Sequence, residues 1–386
     1  MRKTPEFEAC LAELIAIPSV SSVDPEHNQS NRAMIDTLAD YLEALGFDIE
    51  IMPVSEEPEK CNLIARLRPD DADGGLVLSG HTDTVPYDRR GWDTDPFTLT
   101  LKDDRYYGLG TADMKSYFPV IFEALDRLGE VDFKKPLTVI ATADEESSMA
   151  GVRALKKAGR VNGDYCLIGE PTGMVPRHMH KGIIIETIYL EGKSGHSSDP
   201  SLGNSALEGM NDVMNALRDW RDELQAAFTN AEFKLPVPTL NLGRIHGGDS
   251  ANRICAKCEL SIDLRMLPGM PLEQIKQQLH ARVNDAVAGS GLKVSFSYNF
   301  DGIPAMQTPA GSELVKMCEK LTGNRVNTVA FATEGPFFND MGLETVILGP
   351  GDIEVAHQPN EYLPVARIEP MVDILSKLLI HFCGEQ

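Results

Sequence analysis

The chain has 386 residues, 42% hydrophobic and 24% charged, which predicts a soluble globular protein of about two domains. Its 36 Lys+Arg against 58 Asp+Glu give a formal net charge of −22, which argues against a nucleic-acid or anionic-membrane binder, since both need positive stripes. No apolar run approaches the roughly 20 residues of a membrane span, and the N-terminus carries no basic-then-apolar signal peptide, so the expected location is cytoplasmic.

The first predicted element is an amphipathic helix over Thr4–Ile17, with Thr4 as N-cap and Pro5 in the first helical position. Pro18 stops it. A second helix runs from about Ser30 to Leu45, and Gly46 supplies its C-terminal cap. Short apolar runs then alternate with helical patterns. Gly75–Ser79, Leu137–Thr142, Tyr165–Ile168 and Thr345–Leu348 read as buried strands, with helices at about Lys115–Leu128 and Gly151–Ala158. The alternation predicts an α/β domain with a largely parallel sheet.

The middle third reads differently. Strand-like Gly182–Gly192 is followed by a long amphipathic helix, Asn204–Phe228. Strands Thr239–His246 and Arg253–Met266, a helix Pro271–Ala288 and a strand Leu292–Phe300 complete it. The order β-α-β-β-α-β is that of a ferredoxin-like unit. The expected organisation is an α/β domain of residues 1–180 and 301–386 interrupted by an inserted α+β domain of residues 181–300.

The seven cysteines, Cys10, Cys61, Cys166, Cys255, Cys258, Cys318 and Cys383, are odd in number and spread along a large chain. They are expected to be reduced thiols. Cys255 and Cys258 form a single Cys-x-x-Cys within the predicted Arg253–Met266 strand. One pair cannot complete a four-ligand zinc site, so both are expected to be structural.

The chemistry lies at the strand ends. His81-Thr82-Asp83, Glu145-Glu146, Glu170-Pro171 and His357 each follow a predicted strand, and Asp113 precedes a helix. Ligand groups in open α/β sheets gather at the carboxyl ends of strands. A lone histidine after a strand is ordinarily structural, and Glu-Glu on a loop is ordinarily a solvated pair. Five such groups at comparable topological positions point instead to a metal site.

The chain resembles the M20 family of co-catalytic zinc metallopeptidases and amidohydrolases. The residues that carry the resemblance are Ser79-Gly-His-Thr-Asp-Thr-Val-Pro86, Gly108-Leu-Gly-Thr-Ala-Asp-Met-Lys115, Asp144-Glu145-Glu146, Gly169-Glu170-Pro171, Gly195-His-Ser-Ser198 and His357. Segments such as Ala141–Gly151, Thr239–Gly248, Asn252–Cys255, Ala332–Phe337 and Ala356–Tyr362 are similar to its acetylornithine-deacetylating branch.

The resemblance implies a zinc-peptidase-like catalytic domain and an inserted lid and dimerisation domain. It implies two divalent ions, Zn²⁺ foremost, with Co²⁺ or Mn²⁺ equally compatible with the donor types. Asp113 would bridge them, His81 and Glu170 completing one site, Glu146 and His357 the other. Adjacent side chains rarely point the same way, so Glu146 can ligate while Glu145 faces the substrate. The family role of Glu145 is general base toward a metal-bound water. Asp83 is the expected partner of the His81 ring N–H.

His196, in the inserted domain, would donate a hydrogen bond to the developing oxyanion in the site of a partner subunit, which implies a homodimer. Asn252 and Arg265 resemble the family's contacts to a substrate carboxylate, and Glu334 is the expected anion opposite a substrate ammonium. The implied reaction is hydrolysis of N2-acetyl-L-ornithine to L-ornithine and acetate, a step of arginine biosynthesis. The alternatives are succinyl-diaminopimelate desuccinylation, another small N-acyl amino acid deacylation, and dipeptide hydrolysis. A non-catalytic amino-acid binder would lack a ligand or Glu145, and none is missing.

Overall fold

The computed structural model describes residues 5–56, 58–67, 74–129, 131–298 and 300–384. Thr4, the expected N-cap, lies outside them. The first helix is Phe7–Ala16, and Phe7, Cys10, Leu11, Leu14 and Ile15 form its buried face. The second, Arg32–Ala44, buries Met34, Ile35, Leu38, Ala39 and Leu42. The chain divides into two compact units. One comprises residues 1–178, 308–327 and 333–386, the other residues 179–307 and 328–332.

The first unit is a mixed sheet flanked by helices. The strands Leu137–Thr142, Leu76–His81, Tyr165–Ile168 and Glu344–Ile347 lie side by side in that order, all parallel. They are the four strands expected from the apolar runs. Each is buried on both faces, which is why it reads as a continuous apolar run and not as an alternation. Two antiparallel strands that the apolar runs did not reveal, Lys60–Leu67 and Asp48–Ser55, extend the sheet on the Leu137–Thr142 side. Asp48–Ser55 is half-exposed, and Asp48, Glu50 and Pro53 break up its apolar residues, so it carries no strong strand signal. Helices Tyr117–Leu128 and Ile368–Cys383 contribute much of the surrounding core.

The second unit has the order strand Gly182–Glu191, helix Ala206–Ala227, strands Thr239–Gly247 and Lys257–Met266, helix Leu272–Ala286 and strand Lys293–Ser297. Its four strands are all antiparallel, ordered Thr239–Gly247, Lys257–Met266, Gly182–Glu191, Lys293–Ser297. That is the ferredoxin-like arrangement. Strand Lys257–Met266 alternates between buried and half-buried residues, with Leu260, Ile262 and Leu264 turned to a core shared with Val213, Leu217 and Trp220 of the long helix. The strand begins after Cys255, so only Cys258 of the Cys-x-x-Cys lies in it. All seven cysteines are unbridged and buried.

Candidate metal centre

Three neighbouring parallel strands deliver side chains to one sheet edge. Strand Leu76–His81 ends on His81, Leu137–Thr142 leads through Ala143 to Asp144-Glu145-Glu146, and Tyr165–Ile168 leads through Gly169 to Glu170. Gly169 is required by a close approach. A Cβ there would lie 2.1 Å from Cγ of the Tyr117 ring, so any other residue would push Glu170 off its course. Asp113 enters from the loop before helix Tyr117–Leu128, and His357 from the loop beyond strand Glu344–Ile347. Asp144 and His357 both adopt left-handed backbone, φ 57° and 60°, which is uncommon for residues other than glycine.

The side chains converge. His81 Nε2 lies 3.0 Å from Asp113 Oδ1 and 3.8 Å from Glu170 Oε1. His357 Nε2 lies 3.1 Å from Asp113 Oδ2 and 2.9 Å from Glu146 Oε1. The result is two triads, His81-Asp113-Glu170 and Asp113-Glu146-His357, each with its ligand atoms within 4.8 Å of one another. Asp113 belongs to both and turns one oxygen to each histidine. Glu145 forms a third such group with His81 and Glu146. It therefore lies against the same cluster as its neighbour.

The electrostatics are those of a donor set short of positive charge. Burial pushes the Glu145 carboxyl well above the usual carboxylate range, and Glu170 adds like-charge repulsion. Glu170 is raised in the same way by burial and by Asp113, and Glu146 likewise. Burial would also raise Asp113, but hydrogen bonds from His357 and His81 outweigh it and hold the group below its usual range. His357 is pushed up to about 11, chiefly by its bonds to Asp113 and Glu146. Buried carboxylates and imidazoles that trade protons this way are the groups a divalent cation would hold in place of those protons. One imidazole and two carboxylates per triad fit Zn²⁺, Co²⁺ or Mn²⁺.

The surrounding shell differs from expectation at Asp83. The His81 Nδ1 is 2.9 Å from the main-chain oxygen of Asp83, whereas the Asp83 carboxylate is 3.8 Å away. The carboxylate instead accepts the backbone N–H groups of Glu145, at 3.3 Å, and Glu146, at 3.0 Å. Asp83 thus fixes the histidine through its backbone and the Glu145-Glu146 turn through its side chain.

Two further residues stand out that the motif reading quoted without a role. The Glu361 carboxylate accepts N–H groups from Gly110 (3.0 Å), Ala112 (2.7 Å) and Asp113 (2.9 Å). Lys115 is fully buried and donates from Nζ to the Leu14 and Ile17 carbonyls at the end of the first helix. Glu361 lies four residues after His357, and a carboxylate at that spacing was the only available signal. In Glu361→Gln the amide nitrogen would face an N–H donor. The expected cost is about 1–3 kcal/mol of stability and a 10–100-fold weaker hold on metal. Thermal unfolding and metal titration would measure both, and unchanged metal affinity would release Glu361 from this role.

Glu334 departs from expectation. It is 1% exposed, and its Oε2 accepts from Thr142 Oγ1 at 3.0 Å. Burial pushes its carboxyl up to about 8. It presents no solvent-facing anion to a substrate ammonium.

The remaining candidates belong to the second unit. His196 is exposed, and its Nδ1 lies 3.2 Å from the Ser198 backbone N–H, which donates to it. An accepting Nδ1 places the proton of a neutral ring on Nε2, which is then free to donate. Asn252 lies beside it, its main-chain oxygen accepting the Ser197 N–H at 3.1 Å. Arg265 is already engaged by both oxygens of Asp263, at 2.7 and 2.9 Å. It pairs with Thr239 at the opposite end of the hairpin from the Gly247–Cys258 pair. Seven residues of strand, about 23 Å, separate Arg265 from Cys258, and Asn252 lies in the turn beyond. The structure therefore brings His196 and Asn252 together and keeps Arg265 apart from them.

Among the described residues no helix is long and apolar enough to cross a membrane. In sequence, the chain is 43% identical over 383 residues to the acetylornithine deacetylase of Pasteurella multocida (strain Pm70), covering 99% of this chain and all of the relative. It is 44% identical over 381 residues to the acetylornithine deacetylase of Proteus mirabilis (strain HI4320), covering 99% and 98%. In fold, it is similar to an M20 family metallo-carboxypeptidase from Sulfolobus solfataricus (TM-score 0.74, 17% identity, 97% and 99% covered). It is also similar to a dinuclear metal-binding M20 peptidase from Bacillus subtilis (TM-score 0.67, 13% identity, 97% and 98% covered). The model of peptidase family M20/M25/M40 matches residues 77–381, a span that starts one residue into the His81 strand and runs past His357. With its paired triads at the ends of three parallel strands and that match over most of its length, the chain belongs to the M20 family of hydrolases.

Proposed function

We propose that this enzyme hydrolyses N2-acetyl-L-ornithine to L-ornithine and acetate at a two-metal site. The observation that carries the reading is the pair of triads sharing Asp113, with Glu145 against them. The full-length similarity to acetylornithine deacetylases supports the substrate class. His81, Asp113 and Glu170 would hold one ion and Asp113, Glu146 and His357 the other. Two divalent ions supply Lewis acidity, lowering the pKa of a water and polarising the acetyl carbonyl.

Glu145 takes the proton of the attacking water and passes it to the leaving amine. Its raised affinity for a proton without metal shows a carboxyl whose surroundings tune it away from a solvent carboxylate. Asp83 keeps it in place through the two backbone N–H groups it accepts. The Nε2–H of His196 donates to the oxyanion as it develops. Arg265 and Asn252 bind the substrate carboxylate. Their separation within one chain is too great for both to touch one small carboxylate, so we assign them to different protomers of a homodimer, with His196 travelling with Asn252. Zn²⁺ is the assigned native metal and the cytoplasm the assigned compartment, where ornithine is used in arginine biosynthesis.

A panel of N-acyl amino acids tested on the metal-reconstituted enzyme decides the substrate. Acetylornithine should give the largest kcat/KM. A larger value for succinyl-diaminopimelate or for a dipeptide would overturn the assignment. The same panel tests Glu334. Because it is buried beside Thr142, Glu334→Gln should lower kcat/KM for acetylornithine and for N-acetylmethionine by similar factors. A loss confined to acetylornithine would restore Glu334 as the reader of the ammonium.

A further inference from the structure

The turn that presents Glu145 is anchored by a buried ion pair one residue earlier in the chain. Lys60, the first residue of strand Lys60–Leu67, is fully buried, and its Nζ lies 2.8 Å from Asp144 Oδ1. Ser21 Oγ donates to the same oxygen at 2.8 Å and lies 2.6 Å from Ser147 Oγ. The main chain of Asp144 is engaged as well. Its carbonyl accepts the N–H groups of Ser148, at 3.1 Å, and Met149, at 2.7 Å, while its φ of 57° reverses the chain. The turn is thus pinned at its start by Lys60 and Ser21 and in its middle by Asp83.

Two physical consequences follow. A left-handed aspartate costs conformational energy and persists only where its surroundings over-determine it. A carboxylate at Asp144, left without its ammonium, would be a buried anion beside Glu145 and Asp83, and breaking one side of such a pair is strongly unfavourable. Lys60 supplies both the geometric anchor and the compensating charge. Its ammonium is paired with Asp144, which is not among the proposed metal ligands.

We propose that Lys60, acting through Asp144, is a positioning residue that sets the orientation of Glu145 for proton transfer. The proposal rests on the reading of Glu145 as the proton carrier. Metal-loaded full-length enzyme carrying Lys60→Met, Glu145→Gln, both changes, and Lys60→Met with Asp144→Asn tests it. Lys60→Met should lower kcat about ten- to a hundredfold, with KM within about threefold and two metals still bound. Asp144→Asn on top of it removes the orphaned anion and should recover about fivefold or more in kcat. In the Glu145→Gln background, Lys60→Met should add less than about a twofold loss, because the residue it positions is already disabled.

Metal loss in Lys60→Met, an unchanged kcat, or losses that multiply fully in the Glu145→Gln background would each overturn the proposal. Wild-type kcat in Glu145→Gln alone would instead overturn the proton-carrier reading. If Lys60→Met gives no folded protein, Ser21→Ala removes one anchor and leaves the ion pair intact. It should lower kcat about two- to fivefold, an effect that vanishes in the Glu145→Gln background. An undiminished kcat in Ser21→Ala would count against the clamp.

Discussion

Exhaustive chelation should reduce hydrolysis to background, and two equivalents of a divalent ion should restore it. Three buried carboxyls of the cluster, Glu145, Glu146 and Glu170, are raised in proton affinity by burial and by neighbouring carboxylates, Asp113 among them. His357 is raised to about 11. Each of these groups therefore binds protons in the folded chain over a range where the unfolded chain has released them. For the carboxyls that range opens above their ordinary value of 4.5, and for His357 it extends from 6.5 to about 11. Stability falls with rising pH wherever the native state binds more protons. The metal-free protein should thus lose thermal stability steadily as pH rises from about 5 to 9. Bound cations replace those protons, so metal should stabilise more at pH 9 than at pH 5 and should release protons on binding. A metal-free protein that keeps full activity, or whose melting temperature rises over this range, would contradict the two-metal reading.

Glu145→Ala should keep both metals and lose about 10²–10⁴-fold in kcat, the usual contribution of a general acid–base group. Glu146→Ala should instead lose metal, since its Oε1 meets His357 and the shared Asp113. The reverse pattern would exchange the roles of the two residues, which the geometry makes a real test because both reach the His81 group. The same variant tests the proposed homodimer. Glu145→Ala and His196→Ala subunits should each be inactive, but a mixed dimer would hold one site with both groups intact. Verified mixed dimers that recover no activity would place His196 in its own chain's site.

The motifs that the sequence displayed are those whose chemistry is local. His81, Asp113, Glu146, Glu170 and His357 each follow a strand or precede a helix, and the structure brings all five together. The four central strands were legible because burial on both faces leaves unbroken apolar runs. Strand Lys60–Leu67 was not, because Lys60, Asn62 and Arg66 interrupt it, although Lys60 and Asn62 are fully buried. Its polar residues are satisfied by partners distant in sequence, Lys60 by Asp144 and Asn62 by the Gly151 carbonyl. The same limit applies to Asp83, whose carboxylate could be placed near His81 from the period of a strand but not assigned to the amides of Glu145 and Glu146. Glu334 marks a further limit. Its motif position suggested an acid opposite a substrate ammonium, and its burial and its bond to Thr142 emerge only from the packed structure.

The seven buried thiols give the enzyme an internal clock for its own opening. Burial raises the pKa of Cys10, Cys318 and Cys383 to about 12, and that of Cys258 to about 11, so almost none of these four exists as the reactive thiolate in the closed protein. A thiol reagent must wait for the chain to expose each sulfur. Where reclosing is fast, the labelling rate of a given cysteine reports the free energy of the local opening that frees it. Cys258 and Cys255 sit in the core of the second unit, whereas Cys10, Cys61, Cys318 and Cys383 sit in the core of the first. Resolved by mass, their alkylation would time the two units separately in one untagged sample, and metal would slow the set that belongs to the unit it binds.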